Sequence, residues 1–269
     1  MRCEFTPTAR SRRCRIGRPP LAQPARAYKA RGVVLRGRQL GEADRIFTLF
    51  TRERGKLDAV AKGVRRAKSH FAGRLEFGNE CEFGMHRGRS LDVIVSAEIL
   101  HAPWSKLVEP ERYAVASLVA ELMDAFCEPD LALPDAYELL TGMIEAVERS
   151  AQPRELLPRF SLRLLGVLGL APPSDTCVRC GLPLGSGAAW LDAPAGGLID
   201  QACRERWRDL PEFDPRDREN FRALGAAKRG AAPALRATPR VALGVEDLLA
   251  HHLGRRPKAG AHLAEFGTG

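Results

Sequence analysis

Up to about residue 101 the apolar residues of this chain come in short alternating runs, and beyond it they recur three and four apart. That change of period commits one chain to two architectures in series, a β part and then an α part. The β part has five runs, at 28–35, 45–51, 56–61, 81–86 and 91–98, with turn residues such as Arg54-Gly55 between them. In the second run Ile46, Thr48 and Phe50 alternate with Arg45, Phe47 and Leu49, the period of a strand with two different faces. Five short strands with turn signals between them fit a small barrel better than a parallel sheet.

The α part opens at Pro110-Glu111, where Tyr113, Ala116, Leu118, Val119, Leu122 and Phe126 form a core stripe. Pro134-Asp135 opens a second helix carrying Tyr137, Leu140, Met143, Ile144 and Val147. A third spans 153–169, with Leu157, Phe160, Leu164 and Leu168 on one face, and Pro172-Pro173 stops it. Helical spacing returns at 217–224 and 245–253. The expected organisation is a basic disordered tail over 1–26, a barrel over 27–101, and a helical domain over 102–173 and 208–254. A Cys- and Gly-rich insert occupies 174–207, and a loose C-terminal tail 255–269.

The net charge of +9 is unevenly spread. Residues 1–27 carry seven Arg against one Glu, and 28–100 carry 15 basic against 9 acidic residues, whereas 101–269 carry 20 basic against 23 acidic. A basic front on a slightly acidic body points to a polyanionic partner for the front. Within it, Arg36 and Arg38 flank the first turn. Lys62, Arg65, Arg66 and Lys68 form a dense run after the third strand, Arg74 follows, and Arg87 and Arg89 lie in the last turn. On a barrel these nine residues would line one groove and neutralise phosphates. Candidate stacking aromatics are Phe47, Phe50 and Phe71, too few for extensive base stacking, so binding is expected to be electrostatic and indifferent to sequence.

Seven Cys at scattered spacing make a poor disulfide framework. Cys81 and Cys127 sit on apolar faces and read as core. Cys177-Val-Arg-Cys180-Gly181 has the form of a metal-binding knuckle, and Asp200-Gln-Ala-Cys203 offers a second pair in which Asp stands where Cys would be ideal. A zinc site of Cys177, Cys180, Cys203 and Asp200 is chemically sound, and three thiols without metal is the alternative. Gly55-Lys56 lacks the rest of a phosphate-binding loop, and no nucleophile-elbow or zinc-protease pattern occurs. No run of 18 residues is free of charge, which excludes a membrane-spanning helix and makes the cytoplasm the expected location.

Several of these pieces, taken in order, resemble the RecO family of recombination mediators. They are Gly32-Val-Val-Leu35, Gly41-Glu-Ala-Asp-Arg-Ile46, Gly55-Lys56, Ala61-Lys-Gly-Val-Arg-Arg66, and then Cys177-x-x-Cys180-Gly, Gly196-Gly197 and Cys203. The resemblance implies an α+β multi-part chain: an N-terminal five-stranded OB-fold barrel, then a mostly α-helical domain with a zinc-ribbon-like insert. It implies a non-enzymatic protein that binds single- and double-stranded DNA and anneals complementary strands. It also implies work with RecR to help RecA replace single-stranded DNA-binding protein (SSB), whose acidic C-terminal tail would dock in an apolar groove beside Arg or Lys on the helical part. Asp200 departs from the fourth cysteine of zinc-binding members. Two other readings stay open at this point: an interaction adaptor that does not bind DNA, and a zinc-dependent hydrolase.

Overall fold

A computed structural model describes residues 26–66, 68–204, 209–226 and 235–259. The expected basic tail, apart from Arg26, lies outside the described residues. The five expected strands form as β1 (Ala27–Leu40), β2 (Asp44–Thr51), β3 (Gly55–Ala61), β4 (Glu80–His86) and β5 (Asp92–His101). They close into a barrel in the order β1-β2-β3-β5-β4, and only the β3–β5 pair is parallel. β1 can serve two partners because it is long: Ala27 to Val33 pair with β4 and Gly32 to Leu40 with β2. An irregularity between Val34 and Arg36 bends it at the change-over.

Strand alternation divides the apolar side chains between two cores. Val34, Phe47, Leu49, Leu57, Phe83 and Met85 fill the barrel, while Val33, Leu35 and Phe50 point outward into the helical core. Phe71 and Leu75, from the long loop before β4, plug the barrel at 2% and 4% exposure. Cys81 and Cys127 are buried as expected, and burial pushes both thiols up to about 11.

A short α1 (Trp104–Leu107) leads into α2 (Pro110–Phe126), α3 (Pro134–Arg149) and α4 (Leu157–Val167), the last preceded by a tight turn of 3-10 helix over Pro153–Leu156. β6 (Ala189–Asp192), β7 (Gly197–Ile199), α5 (Gln201–Arg204) and β8 (Glu212–Phe213) form a small sheet unit of order β7-β6-β8. α6 (Pro215–Ala226) and α7 (Pro239–Leu253) then return to pack on α4. α2, α3 and α7 each begin on Pro, whose fixed φ suits the first helical position and whose missing N–H is no loss there. Among the described residues no helix is long and apolar enough to cross a membrane.

Two expectations about exposure and order change. Tyr113, assigned to the core stripe of α2, is 47% exposed. The tail expected to be loose from residue 255 is fastened over its first residues, because Glu121 of α2 accepts the backbone N–H groups of Lys258 and Ala259 and pairs with Arg255 at 2.7 Å.

The barrel and helical part meet across an ionic seam. Arg36 pairs with Asp124 at 3.0 Å, Lys56 with the same carboxylate at 3.4 Å, and Arg52 with Glu138 at 3.5 Å. Arg54 pairs with Asp130, and Arg31 with Glu80, which also accepts the Tyr137 hydroxyl at 2.5 Å. Arg36, Lys56, Arg52 and Arg54 of the barrel thus meet carboxylates of the helical part, while Glu80 of β4 links Arg31 to Tyr137 of α3; this accounts for part of the charge asymmetry without any polyanion.

Candidate nucleic-acid interface and metal-ligand cluster

Strand register decides where the nine candidate cations lie. Arg45 faces Ala61 across β2 and β3, and Thr51 faces Gly55. The β1–β2 turn and the exit of β3 therefore share one end of the barrel, and the β2–β3 turn lies at the other. Lys62 to Lys68 leave at the first end, where Gly63 donates its N–H to the Asp44 carboxylate at 2.8 Å and Arg65 to the Ala43 carbonyl at 3.1 Å. Further on, the Asn79 side-chain amide donates to the carbonyls of Gly73 and Arg74, both at 3.0 Å. The loop is thus pinned at its start, plugged by Phe71 and Leu75, and laced at its end. Lys62, Arg65, Arg66, Lys68 and Arg74 are exposed on it, with no ion pair among the described residues.

The remaining candidates differ. Arg36 is spent on Asp124, and Arg38 pairs with Asp58 at 3.0 Å, a carboxylate that also accepts the Thr48 hydroxyl. Arg87 and Arg89 are exposed at the opposite end, where Arg87 lies over the Tyr28 ring at 5.8 Å. The nine residues do not form one continuous groove. Phe47, Phe50 and Phe71 are 1%, 0% and 2% exposed, so the barrel offers none of them for stacking.

The second constellation is brought together as a cluster. The ligand atoms of Cys177, Cys180, Asp200 and Cys203 all lie within 4.8 Å of one another, and the four residues could hold a metal ion. Gly181, at φ 75°, closes the knuckle with its N–H on the Cys177 carbonyl at 2.8 Å. Asp200 lies between β7 and α5; it accepts the Cys203 N–H at 2.7 Å and the Cys180 thiol at 3.1 Å. Burial raises the Cys177 thiol, but backbone N–H groups of Cys180, Asp200 and Arg179 outweigh it and leave its pKa lowered. Burial and the neighbouring thiols push Cys203 up to about 12. All four donors are acidic groups brought face to face, an arrangement that a bound cation would stabilise.

A model of the Recombination protein O N-terminal family matches residues 26–103, and one of the Recombination protein O C-terminal family matches 108–259. The chain belongs to the Recombination protein O family. It is 41% identical over 179 residues to DNA repair protein RecO of Bifidobacterium adolescentis, covering 64% of this chain and 72% of that protein. It is 39% identical over 180 residues to DNA repair protein RecO of Thermobifida fusca, covering 66% and 73%. With DNA repair protein RecO of Bifidobacterium longum it shares 38% over 209 residues, or 74% and 86%. The two RecO family matches divide close to the point where the apolar period changes, and the OB-fold barrel lies in the first.

Sequence reasoning missed Tyr113 and Arg45, which line a cleft between β1 and α2. The signal available was the phase of α2: Val115, Leu118, Val119, Leu122 and Met123 define the buried face, and Tyr113 falls at its margin.

Proposed function

We propose that this chain binds single- and double-stranded DNA through the exposed end of its barrel, anneals complementary strands, and acts with RecR in helping RecA onto single strands coated by SSB. The observation that carries this reading is the contrast among cations. Five seam cations face carboxylates, while Lys62, Arg65, Arg66, Lys68 and Arg74 project from a pinned loop with no ion pair among the described residues. Such a surface screens phosphate repulsion between two strands and leaves base edges free to pair, so annealing needs no catalytic residue. Arg87 and Arg89 would extend the contact from the far end.

Cys177, Cys180, Cys203 and Asp200 would hold zinc, in a structural role that ties the knuckle to α5. Three thiolates and a carboxylate are acceptable zinc donors and leave no evident open position for hydrolysis. The SSB tail would dock between α3 and α4, in a groove of about 670 Å³. Leu139, Met143 and Phe160 form its apolar floor, and Arg149, Arg159 and Arg163 line it beside Asp135 and Glu138, a net basic lining suited to an acidic peptide. Family kinship supports a cytoplasmic protein at the nucleoid.

The test is annealing of two complementary labelled oligonucleotides, with and without SSB. Acceleration by the wild type, lost on charge reversal at Arg65 and Arg66, is expected. Binding without acceleration would reduce the protein to a DNA-docked adaptor, and no binding to an adaptor alone.

A further inference from the structure

Resting on the DNA-binding reading, we propose that the cleft between the barrel and α2 is a binding site for one unstacked nucleobase of single-stranded DNA, held against the exposed ring of Tyr113. The cleft measures about 480 Å³, within the range of roughly 300–1,000 Å³ that accepts small organic groups. Its walls include Arg36 and Arg45 from the barrel, Phe77 from the loop before β4, and Tyr113, Glu121 and Asp124 from α2. Tyr113 and Phe77 meet edge to face, with ring centroids 5.4 Å apart, so the exposed Tyr113 ring is braced by its neighbour. Its hydroxyl has no hydrogen-bond partner among the described residues.

Charge in the cleft favours a base over a phosphate. Arg36 is already paired with Asp124, and Glu121 is held by Arg255, so neither arginine is available to an anion and both carboxylates would repel one. A guanidinium is a suitable donor to the carbonyl edge of a base. Arg45 contributes that guanidinium. Its Nε is enclosed without a hydrogen-bond partner, and the group lies 5.9 Å from the Phe47 ring centroid. Gly37 is paired across the strands with Phe47, whose ring fills the place of a side chain there: a Cβ would come within 2.9 Å of it.

The cleft also adjoins the phosphate-binding loop. Arg74 is exposed at the end of the basic run, and Leu75, Glu76 and Phe77 immediately line the cleft. A strand whose phosphates follow Lys62 to Arg74 can drop a base between Tyr113 and Arg45. The helical part thereby supplies the aromatic platform that the barrel, with its phenylalanines buried, lacks.

The test compares the affinity of the full-length protein for oligothymidylate and for an abasic oligomer of equal length, in wild type, Tyr113→Ala and Tyr113→Phe. The wild type should favour the base-bearing strand about tenfold, as one stacked base predicts. Tyr113→Ala should bring the ratio close to one without changing the salt slope, and Tyr113→Phe should keep it. Photo-cross-linking with 5-iodouracil oligonucleotides should label the peptide that holds Tyr113 or Phe77. A preference that survives Tyr113→Ala, or cross-links confined to other peptides, would overturn the inference and leave the DNA reading intact. A wild type that binds neither oligomer would defeat both.

Discussion

The backbone N–H of Cys203 donates to one carboxylate oxygen of Asp200 at 2.7 Å, while the other oxygen faces the Cys180 thiol at 3.1 Å. This first bond is the leading cause of the lowered Asp200 pKa, so the carboxylate is ionised and aimed before any cation arrives. Asp200→Ala should release zinc at chelator concentrations at least about tenfold lower than the wild type does, and Asp200→Cys should retain it more tightly. Zinc content after chelator competition measures both. Equal retention in all three proteins would remove Asp200 from the ligand set.

Arg54 joins three groups: it donates to the Tyr28 hydroxyl at 2.6 Å, pairs with Asp92 at 2.5 Å, and reaches Asp130 beyond α2. Burial raises Asp92, but hydrogen bonds from Tyr28, Arg54 and the Gly88 N–H outweigh it and hold the carboxyl below its usual range. Its contribution to stability is therefore complete above the unfolded value near 3.9 and is lost as pH falls through the lower folded value. Arg54→Ala should cost about 2 kcal/mol in denaturant unfolding at neutral pH and flatten the acid limb of stability. An unchanged midpoint and acid limb would contradict this role.

Gly55 turns the chain from β2 into β3 at φ 66°, and a Cβ there would lie 1.8 Å from the Leu131 carbonyl oxygen of the helical part. Gly55→Ala should destabilise the protein by about 2–3 kcal/mol, through left-handed strain together with separation of the two parts. Thermal unfolding reads this directly, and a melting temperature equal to that of the wild type would show that the contact relaxes freely.

Gly142 lies in α3 on the proposed tail groove, and a Cβ there meets nothing within 4 Å. Gly142→Leu should improve helix propensity by up to about 1 kcal/mol and fill the groove. A fluorescent acidic peptide with the SSB tail chemistry should lose at least about tenfold in affinity, while DNA binding is unchanged. Undiminished peptide binding would move the tail site elsewhere.

Local pattern carried the strands, the helices and the metal cluster, because each rests on residues close in sequence. The C-x-x-C knuckle and Asp200 needed only their spacing to be recognised. β1 outran its expected end because Arg36, Gly37, Arg38 and Gln39 carry no apolar signal, yet each pairs with β2. α7 starts at Pro239, ahead of the expected 245, because Thr238 caps it by accepting the Val241 N–H at 3.3 Å. What the sequence could not reveal is which cations are already used. Arg36 meets Asp124 and Arg54 meets Asp130, partners far along the chain, so Arg36 looks as available as Arg65 until the fold is known. Tyr113 was hidden in the same way, since helical spacing alone does not mark the edge of a buried face.

The central claim, that Arg65 and Arg66 neutralise phosphates, is tested most directly by fluorescence anisotropy of a labelled single strand over a salt series, in wild type and Arg65→Glu/Arg66→Glu. The account predicts binding at low salt with a steep loss as salt rises. In the double variant, the slope of log affinity against log salt should shrink by at least about 1.4, the share of two phosphate contacts on a single strand. An identical slope in the two proteins, or no wild-type binding at low salt, would contradict it.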